Sequence, residues 1–372
     1  MQAAVAQPAP FRLIPRDGSR AEDIARLDPY SAAVKFVRGA FDVDGPILEA
    51  VRWFLSNYDA GARAKLLSLI ARFGPWKWIS QAQQRAGVAE RLRYHYDRSN
   101  EFYRLFLDRN MVYSCAYFES AGMSLEEAQE AKLRHICRKL RLQPGERFLD
   151  IGCGWGALLI HAARQWGADA TGCTLSFEQA REGKRRIAES GLGNRARVLE
   201  RDYRDVEGRF DKIASVGMFE HVGPRGLRAY FRKIRQILSP EGLFLNHGIV
   251  RPQPEAEDPA TLFIQRKVFP VGSITHLAQV VEAAEIEGFE VLDVENLRPH
   301  YALTCAEWVR RLERNREACL REVPEEVWRT WMIYLAGSAF HFQRGSLEVH
   351  QILLARRGRE EPEPRTRRYM YP

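Results

Sequence analysis

The chain has 372 residues, a formal net charge of +8, and 45% hydrophobic and 28% charged residues. This is an ordinary soluble balance, enough for a large core in one main domain with an appended piece. The longest nearly uncharged run, around Trp331 to Phe342, is too short to cross a bilayer and predicts a buried helix. The six cysteines form no CxxC pair, so reduced thiols in a cytoplasm are the simplest interpretation.

The positive charge predicts an anionic partner. Charge alone does not separate nucleic acid from a phospholipid surface or an acyl carrier. The sequence carries neither a zinc knuckle nor an RNA-binding aromatic signature. We therefore expect an anionic lipid surface and no nucleic acid.

The N-terminal part predicts an arm followed by a helical domain over residues 21–90. Residues 1–20 lack a basic start and an apolar core segment, so we predict no signal peptide but a disordered arm rich in Ala and Pro. Apolar spacing predicts helix from about Asp42 to Phe73, ended by Gly74 and Pro75. Trp76 and Trp78 then fit either membrane-interface anchors or core residues. The arginines at 85, 91, 93 and 98 fit a solvated helix face or a lipid contact.

The central region alternates between strand and helix patterns, which predicts an α/β, doubly wound parallel sheet in a catalytic domain over residues 91–356. The predicted strands are 146–151, 169–173, 196–200, 211–216 and 242–247. The predicted helices are 156–166, 176–190 and 224–237. A helix (276–286), a strand (288–294), a helical insertion (305–343) and a last strand (347–355) follow. Residues 357–372 show no periodicity and are predicted to be a tail.

A glycine-rich turn follows the first of these strands, in the run Phe148-Leu149-Asp150-Ile151-Gly152-Cys153-Gly154-Trp155-Gly156. Gly152, Gly154 and Gly156 can adopt positive φ and admit a ligand close to the backbone, and Asp150 supports the turn. The spacing is not that of the dinucleotide motif G-x-G-x-x-G. It resembles the first motif of S-adenosylmethionine (SAM) methyltransferases, although a lone glycine turn also occurs as a structural connection.

The end of the second strand, Gly172-Cys173-Thr174-Leu175-Ser176, lacks the acid that often binds the ribose of the cofactor. Thr174 and Gln179 could supply those hydrogen bonds instead. Ser176 is predicted to cap the following helix, and Gln179 could complete a capping box with it.

Further motifs resemble the cyclopropane fatty acid synthases and mycolic acid cyclopropane synthases. The resemblance covers roughly residues 90–355, and residues before 85 match more loosely, like the extra helical domain of members that modify bacterial phospholipids. The matching runs are Tyr94-His95-Tyr96-Asp97, Met111-Val112-Tyr113-Ser114-Cys115-Ala116-Tyr117-Phe118, Thr174-Leu175-Ser176 and Ser215-Val216-Gly217-Met218-Phe219-Glu220-His221-Val222-Gly223.

The resemblance implies a seven-stranded, Rossmann-like class I SAM methyltransferase fold and two small-molecule sites. The residues implied for SAM are Tyr113, Ser114, Asp150, Gly152, Gly154, Gly156, Thr174, Gln179, Asp202 and Tyr203. A sulfonium cation also favours aromatic faces such as those of Tyr113 and Tyr203. A bicarbonate ion is implied beside the reactive methyl group. Its residues are the backbone of Cys115 and Val216 and the side chains of Glu220, His247 and Tyr301; His221 fits either packing or support.

The implied reaction adds a methylene carbon from SAM to a cis double bond in an acyl chain of a phospholipid bilayer, at the inner face of the cytoplasmic membrane. An alkene is a weak nucleophile, so the site must align it with the methyl group away from water. The negative charge of bicarbonate would stabilise the resulting carbocation and accept a proton as the ring closes. A homodimer is left open.

Two departures from the family pattern concern product choice. Ser338 replaces a usual cysteine, and the loop Phe269-Pro270-Val271-Gly272-Ser273-Ile274-Thr275 lacks the usual Leu-Pro-Ser end. The alternatives are a methylene- or methyl-branched chain and an amine N-methyltransferase; in the amine enzymes an acid usually stands at the position of Gly217. A catalytically silent SAM-binding protein is the remaining alternative.

Overall fold

The computed structural model describes residues 10–57, 99–252, 263, 274–360 and 362–371. Several sequence predictions lie outside the described residues. They concern the helix pattern beyond residue 57, the two tryptophans at 76 and 78, the arginine-rich stretch from 85 to 98 with the motif at 94–97, and the loop residues 269–273.

The described residues form a two-stranded ribbon and a seven-stranded sheet. The strands are β1 (Arg12–Pro15), β2 (Phe41–Asp44), β3 (Arg147–Ile151), β4 (Asp169–Thr174), β5 (Ala196–Glu200), β6 (Phe210–Val216), β7 (Leu238–Val250), β8 (Phe289–Asn296) and β9 (Glu348–Arg356). The order in the large sheet is β5-β4-β3-β6-β7-β9-β8. This is an α/β arrangement with seven strands, as the resemblance implies.

The strand direction differs from the prediction at one edge of the sheet. The strands from β5 to β7 pair in parallel, as expected. β9 instead runs antiparallel to both β7 and β8, between which it is inserted. The sequence analysis therefore predicted the parallel strands but not the reversed direction of β9. Alternation of strands and helices along the chain does not reveal that the last strand returns between two earlier ones.

Helices cover both faces of the sheet and form a separate layer near the N-terminal segment. They are α1 (Ala21–Ala25), α2 (Pro29–Val37), α3 (Ile47–Asn57), α4 (Asn100–Arg104), α5 (Leu125–Lys139), α6 (Ala157–Trp166), α7 (Phe177–Glu189), α8 (Leu227–Ile237), α9 (Leu277–Ile286), α10 (Arg298–Arg314), α11 (Arg316–Glu322) and α12 (Glu325–Arg344). The helices predicted at 156–166, 176–190, 224–237 and 276–286 are confirmed. The predicted helical insertion begins earlier, at Arg298, and consists of three helices.

Local sequence explains how several of these helices begin. Ser124 and Glu127 form a capping box at the start of α5. The Ser176 hydroxyl accepts a hydrogen bond from the Gln179 backbone N–H at 3.3 Å, so the predicted cap of α7 is confirmed. The apolar residues of α8 are buried at helical spacing, which turns one face of that helix toward the sheet.

The N-terminal segment differs from the prediction at two places. Residues 12–15, predicted within a disordered arm, form β1, which pairs antiparallel with β2. Residues 42–44, predicted as the start of a helix, belong to β2, and the helix begins at Ile47. Strand pairing satisfies the backbone polar groups of both segments, and helical apolar spacing alone does not reveal such a partner.

The N-terminal elements share a hydrophobic core with α4, α10 and α12. Arg329 on α12 is 2% exposed and donates to the carbonyl oxygens of Phe36 and Phe41, both at 3.2 Å. The same guanidinium forms an ion pair with Asp42. The guanidinium thus joins the end of α2 and the strand β2 to the third helix of the insertion.

The C-terminal residues are also more ordered than the predicted tail. Residues 367–370 form a 3-10 helix, and Met370 is 2% exposed within the core beside β3 and β4. Its carbonyl oxygen lies 3.1 Å from Nδ1 of His135 on α5. The sequence predicted only a tail here, because a single apolar side chain and one backbone contact leave no periodic signal. Among the described residues, none of the helices is both long enough and apolar enough to cross a membrane.

Candidate active site

The glycine turn leaves the carboxyl end of β3 and leads into α6. Backbone N–H groups of Gly152 and Cys153 both donate to the carbonyl oxygen of Cys173 on β4, at 2.9 and 3.1 Å. Gly154 has a φ of +53°, and a Cβ placed there would meet no atom within 4 Å. The turn is therefore fixed to the sheet on one side and opens onto free space at Gly154, as a close approach by a ligand requires.

Asp150 lies beneath this turn in a buried position. Its Oδ1 atom has no hydrogen-bond partner in the described structure. Burial raises the pKa of the carboxyl group to about 7, and the nearby charge of Lys132 partly opposes that shift. An enclosed carboxyl oxygen without a donor marks a place where a polar ligand group can bind.

The segment Tyr113 to Cys115 is held beside the turn by two polar side chains of α5. The Gln129 amide donates to the Ser114 carbonyl oxygen at 2.9 Å, and the Lys132 ammonium donates to the Ser114 hydroxyl at 3.1 Å. Burial lowers the pKa of Lys132 to about 8. The Tyr113 ring packs against the rings of Tyr103 and Trp308, whose centroids lie 5.3 and 5.2 Å from its own.

Thr174 and Gln179 are brought together at the end of β4. The Thr174 hydroxyl donates to the Gln179 side-chain oxygen at 2.8 Å, and it accepts from the Ser176 backbone N–H at 3.2 Å. Gln179 therefore bonds Thr174 rather than completing the predicted capping box. The hydroxyl proton of Thr174 is already engaged in the bond to Gln179. The amide nitrogen of Gln179 is therefore the group that can donate a hydrogen bond to a cofactor hydroxyl.

Asp202 and Tyr203 follow β5. The Asp202 carboxylate accepts a hydrogen bond from the Arg204 backbone N–H at 2.9 Å and forms an ion pair with the Arg204 guanidinium at 2.5 Å. Burial raises the pKa of the carboxyl group, but these contacts outweigh it, so the pKa is lowered. The Tyr203 ring meets Tyr230 edge-on at 5.6 Å. Tyr203 is half-buried, so one part of its ring remains accessible at the sheet edge.

Glu220 lies in a short 3-10 helix after β6. Its Oε1 atom accepts from the Ile249 backbone N–H at 2.7 Å, while its Oε2 atom is enclosed without a hydrogen-bond partner in the described structure. Burial raises the pKa of the carboxyl group to about 7. A Cβ at Gly248 would come within 2.2 Å of the Phe219 ring and 2.9 Å of Oε1, so glycine there allows the carboxyl group to approach β7.

His247 lies on β7 and is 1% exposed. Val216 is its register partner on β6, and the His247 carbonyl oxygen accepts from the Gly217 backbone N–H at 2.8 Å. The Gln351 amide nitrogen lies 3.2 Å from Nδ1 of the imidazole. Burial, together with the nearby positive charges of Lys132 and Lys139, lowers the pKa of His247 to about 3, so the ring is neutral near pH 7.

Tyr301 and Cys115 approach the same region from the helical layer. Tyr301 lies at the start of α10 and stacks on Phe342 with ring centroids 4.5 Å apart. Burial raises the pKa of its hydroxyl, and the anionic forms of Cys115, Tyr113 and Glu220 act in the same direction. Cys115 is fully buried, with its thiol 3.7 Å from the Leu297 carbonyl oxygen.

The structure therefore brings the predicted residues to one end of the sheet. The ends of β3, β4, β5, β6 and β7 contribute most of them, while Tyr301 and the 113–115 segment are added from the helical layer. The Ser338 hydroxyl has a local partner, since it donates to the Tyr334 carbonyl oxygen one turn earlier at 2.8 Å. Burial lowers the pKa of His221 to about 4, which fits either packing or support.

The sequence predictions missed several residues of this region, among them Gln129, Lys132 and Gln351. Gln129 and Lys132 stand three residues apart on the buried face of α5, among alanine and leucine side chains. A lysine and a glutamine within an otherwise apolar helix face are a usable signal, since buried polar groups require partners. Gln351 carries no comparable signal, because its partner is 104 positions away along the chain.

Comparison with known proteins agrees with this arrangement. Residues 83–352 match the family model described as mycolic acid cyclopropane synthetase. A Pseudomonas putida protein described as a "probable fatty acid methyltransferase" is 44% identical over 323 residues, covering 86% of this chain and 80% of its own length. Cyclopropane mycolic acid synthase 1 of Mycobacterium tuberculosis is 37% identical over 268 residues, covering 69% of this chain and 93% of its own length.

A solved structure of a mycolic acid cyclopropane synthase, complexed with SAH and CTAB, superposes with a TM-score of 0.68 and 36% identity. The superposition covers 72% of this chain and 97% of the solved chain. The predicted family and fold class are thus confirmed. The chain belongs to the mycolic acid cyclopropane synthetase family of SAM-dependent methyltransferases.

Proposed function

We propose that this protein transfers a methylene carbon from SAM to a cis double bond in an unsaturated acyl chain of a phospholipid and closes a cyclopropane ring. It does so at the inner surface of the membrane, with a bicarbonate ion bound beside the reacting carbon. The proposal is supported by two observations: Glu220 is bonded to the Ile249 backbone two residues after the neutral His247, and the charge of Glu220 contributes to the raised pKa of Tyr301.

The residues at the turn fit SAM. The open space at Gly154 can accept the cofactor, and the Asp150 oxygen without a partner can accept a hydrogen bond from it. SAM supplies the carbon for the reaction when it is bound. Thr174 and Gln179 would hold the ribose, Asp202 with Tyr203 the adenine end, and Tyr113 with Ser114 the remainder of the molecule.

The residues around Glu220 fit a small oxyanion. The Glu220 Oε2 atom is enclosed without a partner, and its carboxyl pKa of about 7 allows a proton to be present near neutral pH. The backbone of Cys115 and Val216 and the side chains of His247 and Tyr301 would add further contacts. Bound bicarbonate would supply a negative charge and a proton acceptor in a dry site.

The chain's own residues have three tasks in this scheme. The burial of Cys115 and His247 keeps water away from the reacting carbon. Tyr301 is oriented by its stacking on Phe342, so that its hydroxyl can donate a hydrogen bond in a fixed direction. Glu220 is fixed by its bond to the Ile249 backbone, which leaves its second oxygen for the ion.

An apolar cleft supports a long acyl chain as the substrate. The volume accessible to water inside it is about 50 Å³, the wider empty space including open solvent at its mouth is about 580 Å³, and its lining residues are all apolar. The cleft lies between the N-terminal elements, such as Phe36 and Phe54, and Ile333 and Gly337 of α12. Phe342, which stacks on Tyr301, follows Ile333 by nine positions on the same helix. Nine residues correspond to about two and a half helical turns, so Phe342 and the cleft lie on opposite sides of α12. We infer that the cleft accepts the part of the lipid that does not react.

The names of the relatives also support a lipid with a long alkyl chain as the substrate. The Pseudomonas relative is described as acting on a fatty acid and the mycobacterial relative on a mycolic acid, both of which contain long alkyl chains. The amine alternative has less support. Gly217 stands where the amine enzymes usually carry an acid, and its Cβ position is open.

The proposal is tested by mass spectrometry of phospholipids from a bacterial host that expresses the protein. We expect monounsaturated chains to gain the mass of one methylene group, and we expect ozonolysis to leave the modified chain uncleaved because no double bond remains. Cleavage by ozone would instead identify a methylene-branched product. Unchanged acyl chains in a host with ample SAM would overturn the lipid assignment.

A further inference from the structure

Three polar side chains form a row across the sheet on the face covered by α5. Gln351 on β9 is the register partner of His247 on β7 and of Glu295 on β8. Residues directly opposite each other on neighbouring strands project to the same face. His247, Gln351 and Glu295 therefore lie side by side, with Gln351 in the middle and fully buried.

The outer end of this row is fixed by charge. Glu295 Oε2 lies 2.6 Å from the Lys139 ammonium and 2.7 Å from Nε2 of His135. These contacts lower the pKa of the Glu295 carboxyl group to about 2 against its burial. The carboxylate is thus ionised and held in place, which leaves Gln351 between a fixed anion and the imidazole.

The contact at the inner end selects one form of the imidazole. The Gln351 amide nitrogen lies 3.2 Å from Nδ1 of His247. In this orientation of the amide group its N–H donates, so Nδ1 accepts and carries no proton. In a neutral imidazole the single proton then lies on Nε2, which becomes a hydrogen-bond donor.

We propose that Gln351 is a positioning residue that holds His247 in the Nε2–H form, so that the imidazole donates a hydrogen bond to the bound anion. This inference rests on the proposed function, because it takes the anion from that proposal. It assigns a role to a residue on the last strand, outside the set that the sequence implied.

The chemistry of the anion explains why an amide is required at position 351. An oxyanion accepts hydrogen bonds, so the histidine beside it must present a proton. A carboxylate at 351 would attract a proton to Nδ1 and favour the imidazolium form or the opposite tautomer. An apolar side chain of the same length would leave Nδ1 buried without a donor, and both tautomers would then be populated.

The test uses the full-length protein labelled with ¹⁵N-histidine, since the protonated and unprotonated ring nitrogens have well-separated ¹⁵N shifts. His247 is assigned among the nine histidines by the loss of its signals in His247→Asn. We expect wild type to show the Nε2–H form, Gln351→Met a mixture, and Gln351→Glu a proton on Nδ1. A wild-type spectrum with the proton on Nδ1 would overturn the proposal.

A second measurement compares the bicarbonate concentration that gives half-maximal activity. Gln351→Met should raise it about tenfold, as expected for one lost hydrogen bond to a buried group, while the KM for SAM stays the same. Thr171→Val is the matched control. It also removes a buried polar atom of the sheet, the Thr171 hydroxyl, but on β4 rather than next to His247. An equal bicarbonate requirement in both variants would contradict the proposal.

The two experiments also separate this inference from the proposed function. If bicarbonate has no effect on wild type, the anion of the proposed function is wrong. The NMR result then still decides, independently of activity, whether Gln351 sets the tautomer of His247.

Discussion

Gly154 lies at the tip of the turn after β3, in a left-handed conformation and facing open space. In Gly154→Val the branched side chain would occupy the place that we assign to SAM, so we expect calorimetry to show no measurable binding of the cofactor. The backbone strain should also cost about 1–2 kcal/mol of stability.

Gly191 provides a matched control for that strain. It has a φ of +69°, also faces open space, and follows the end of α7. Gly191→Val should lose similar stability and bind SAM like wild type. Unchanged SAM affinity in a folded Gly154→Val protein would refute the cofactor assignment.

Glu220 gives the protein a predictable pH dependence. Its carboxyl pKa is raised from 4.5 to about 7 in the folded state, so its contribution to stability is complete below the unfolded value and is lost as pH rises through 7. Without bicarbonate, the free energy of unfolding of wild type should fall by up to about 3 kcal/mol relative to Glu220→Gln between pH 5 and 8. Urea denaturation across this range measures the difference. Parallel pH curves for the two proteins would contradict the burial of a carboxyl group whose Oε2 atom has no partner.

The sequence predicted local features of this region better than it predicted contacts between distant residues. The glycine turn, the Ser176 cap and the acid after β6 are local patterns, and each appears where it was expected. Gln351, Gln129 and Lys132 act on residues elsewhere in the chain, and one sequence contains no information on which distant residues meet.

At the scale of elements, α12 separates the apolar cleft from the Tyr301 ring. Gly337 lies in the middle of this helix and lines the cleft, and a Cβ there would meet no atom within 4 Å. Gly337→Ala should raise the free energy of unfolding by about 1 kcal/mol, because glycine is a poor helix former. Gly337→Leu should also be stable, but its side chain would fill part of the cleft.

If the cleft accepts an acyl chain, Gly337→Leu should reduce turnover of a long-chain phospholipid by about tenfold, the equivalent of roughly two lost methylene contacts. The variant should keep the wild-type affinity for SAM, and Gly337→Ala should keep wild-type turnover. Comparison of the two variants on vesicles of one lipid measures the effect. Equal turnover would exclude the cleft from substrate binding.

The elements themselves followed from the sequence where a periodic pattern was present. The five parallel strands and the helices between them were predicted within a few residues, with β7 longer than expected. The return of β9 between β7 and β8 was not predictable, because register and strand order depend on contacts between distant segments. The pairing of β1 with β2 and the burial of Met370 were missed for the same reason.

At the scale of the whole molecule, the net charge of +8 bears on how the protein reaches its lipid. We expect binding to vesicles to require anionic lipid and to weaken as salt is added, since exposed charges are screened beyond about 10 Å at 0.1 M salt. Co-sedimentation with neutral and anionic vesicles at low and high salt measures this. Equal binding to both vesicles, independent of salt, would show that electrostatic attraction does not bring the protein to the membrane.

The central claim is that Glu220, His247 and Tyr301 hold a bicarbonate ion that takes part in methylene transfer to an acyl chain. Its most direct test measures lipid product from purified wild type and Glu220→Gln in buffer stripped of bicarbonate and after its return. Removal of the ion should lower wild-type turnover, and its return should restore it. Glu220→Gln should bind SAM normally, lose at least about tenfold in turnover through one charge-assisted hydrogen bond, and recover less on addition of bicarbonate. Near-normal lipid product from Glu220→Gln, or a wild type indifferent to bicarbonate, would contradict the account even with the fold and the cofactor established.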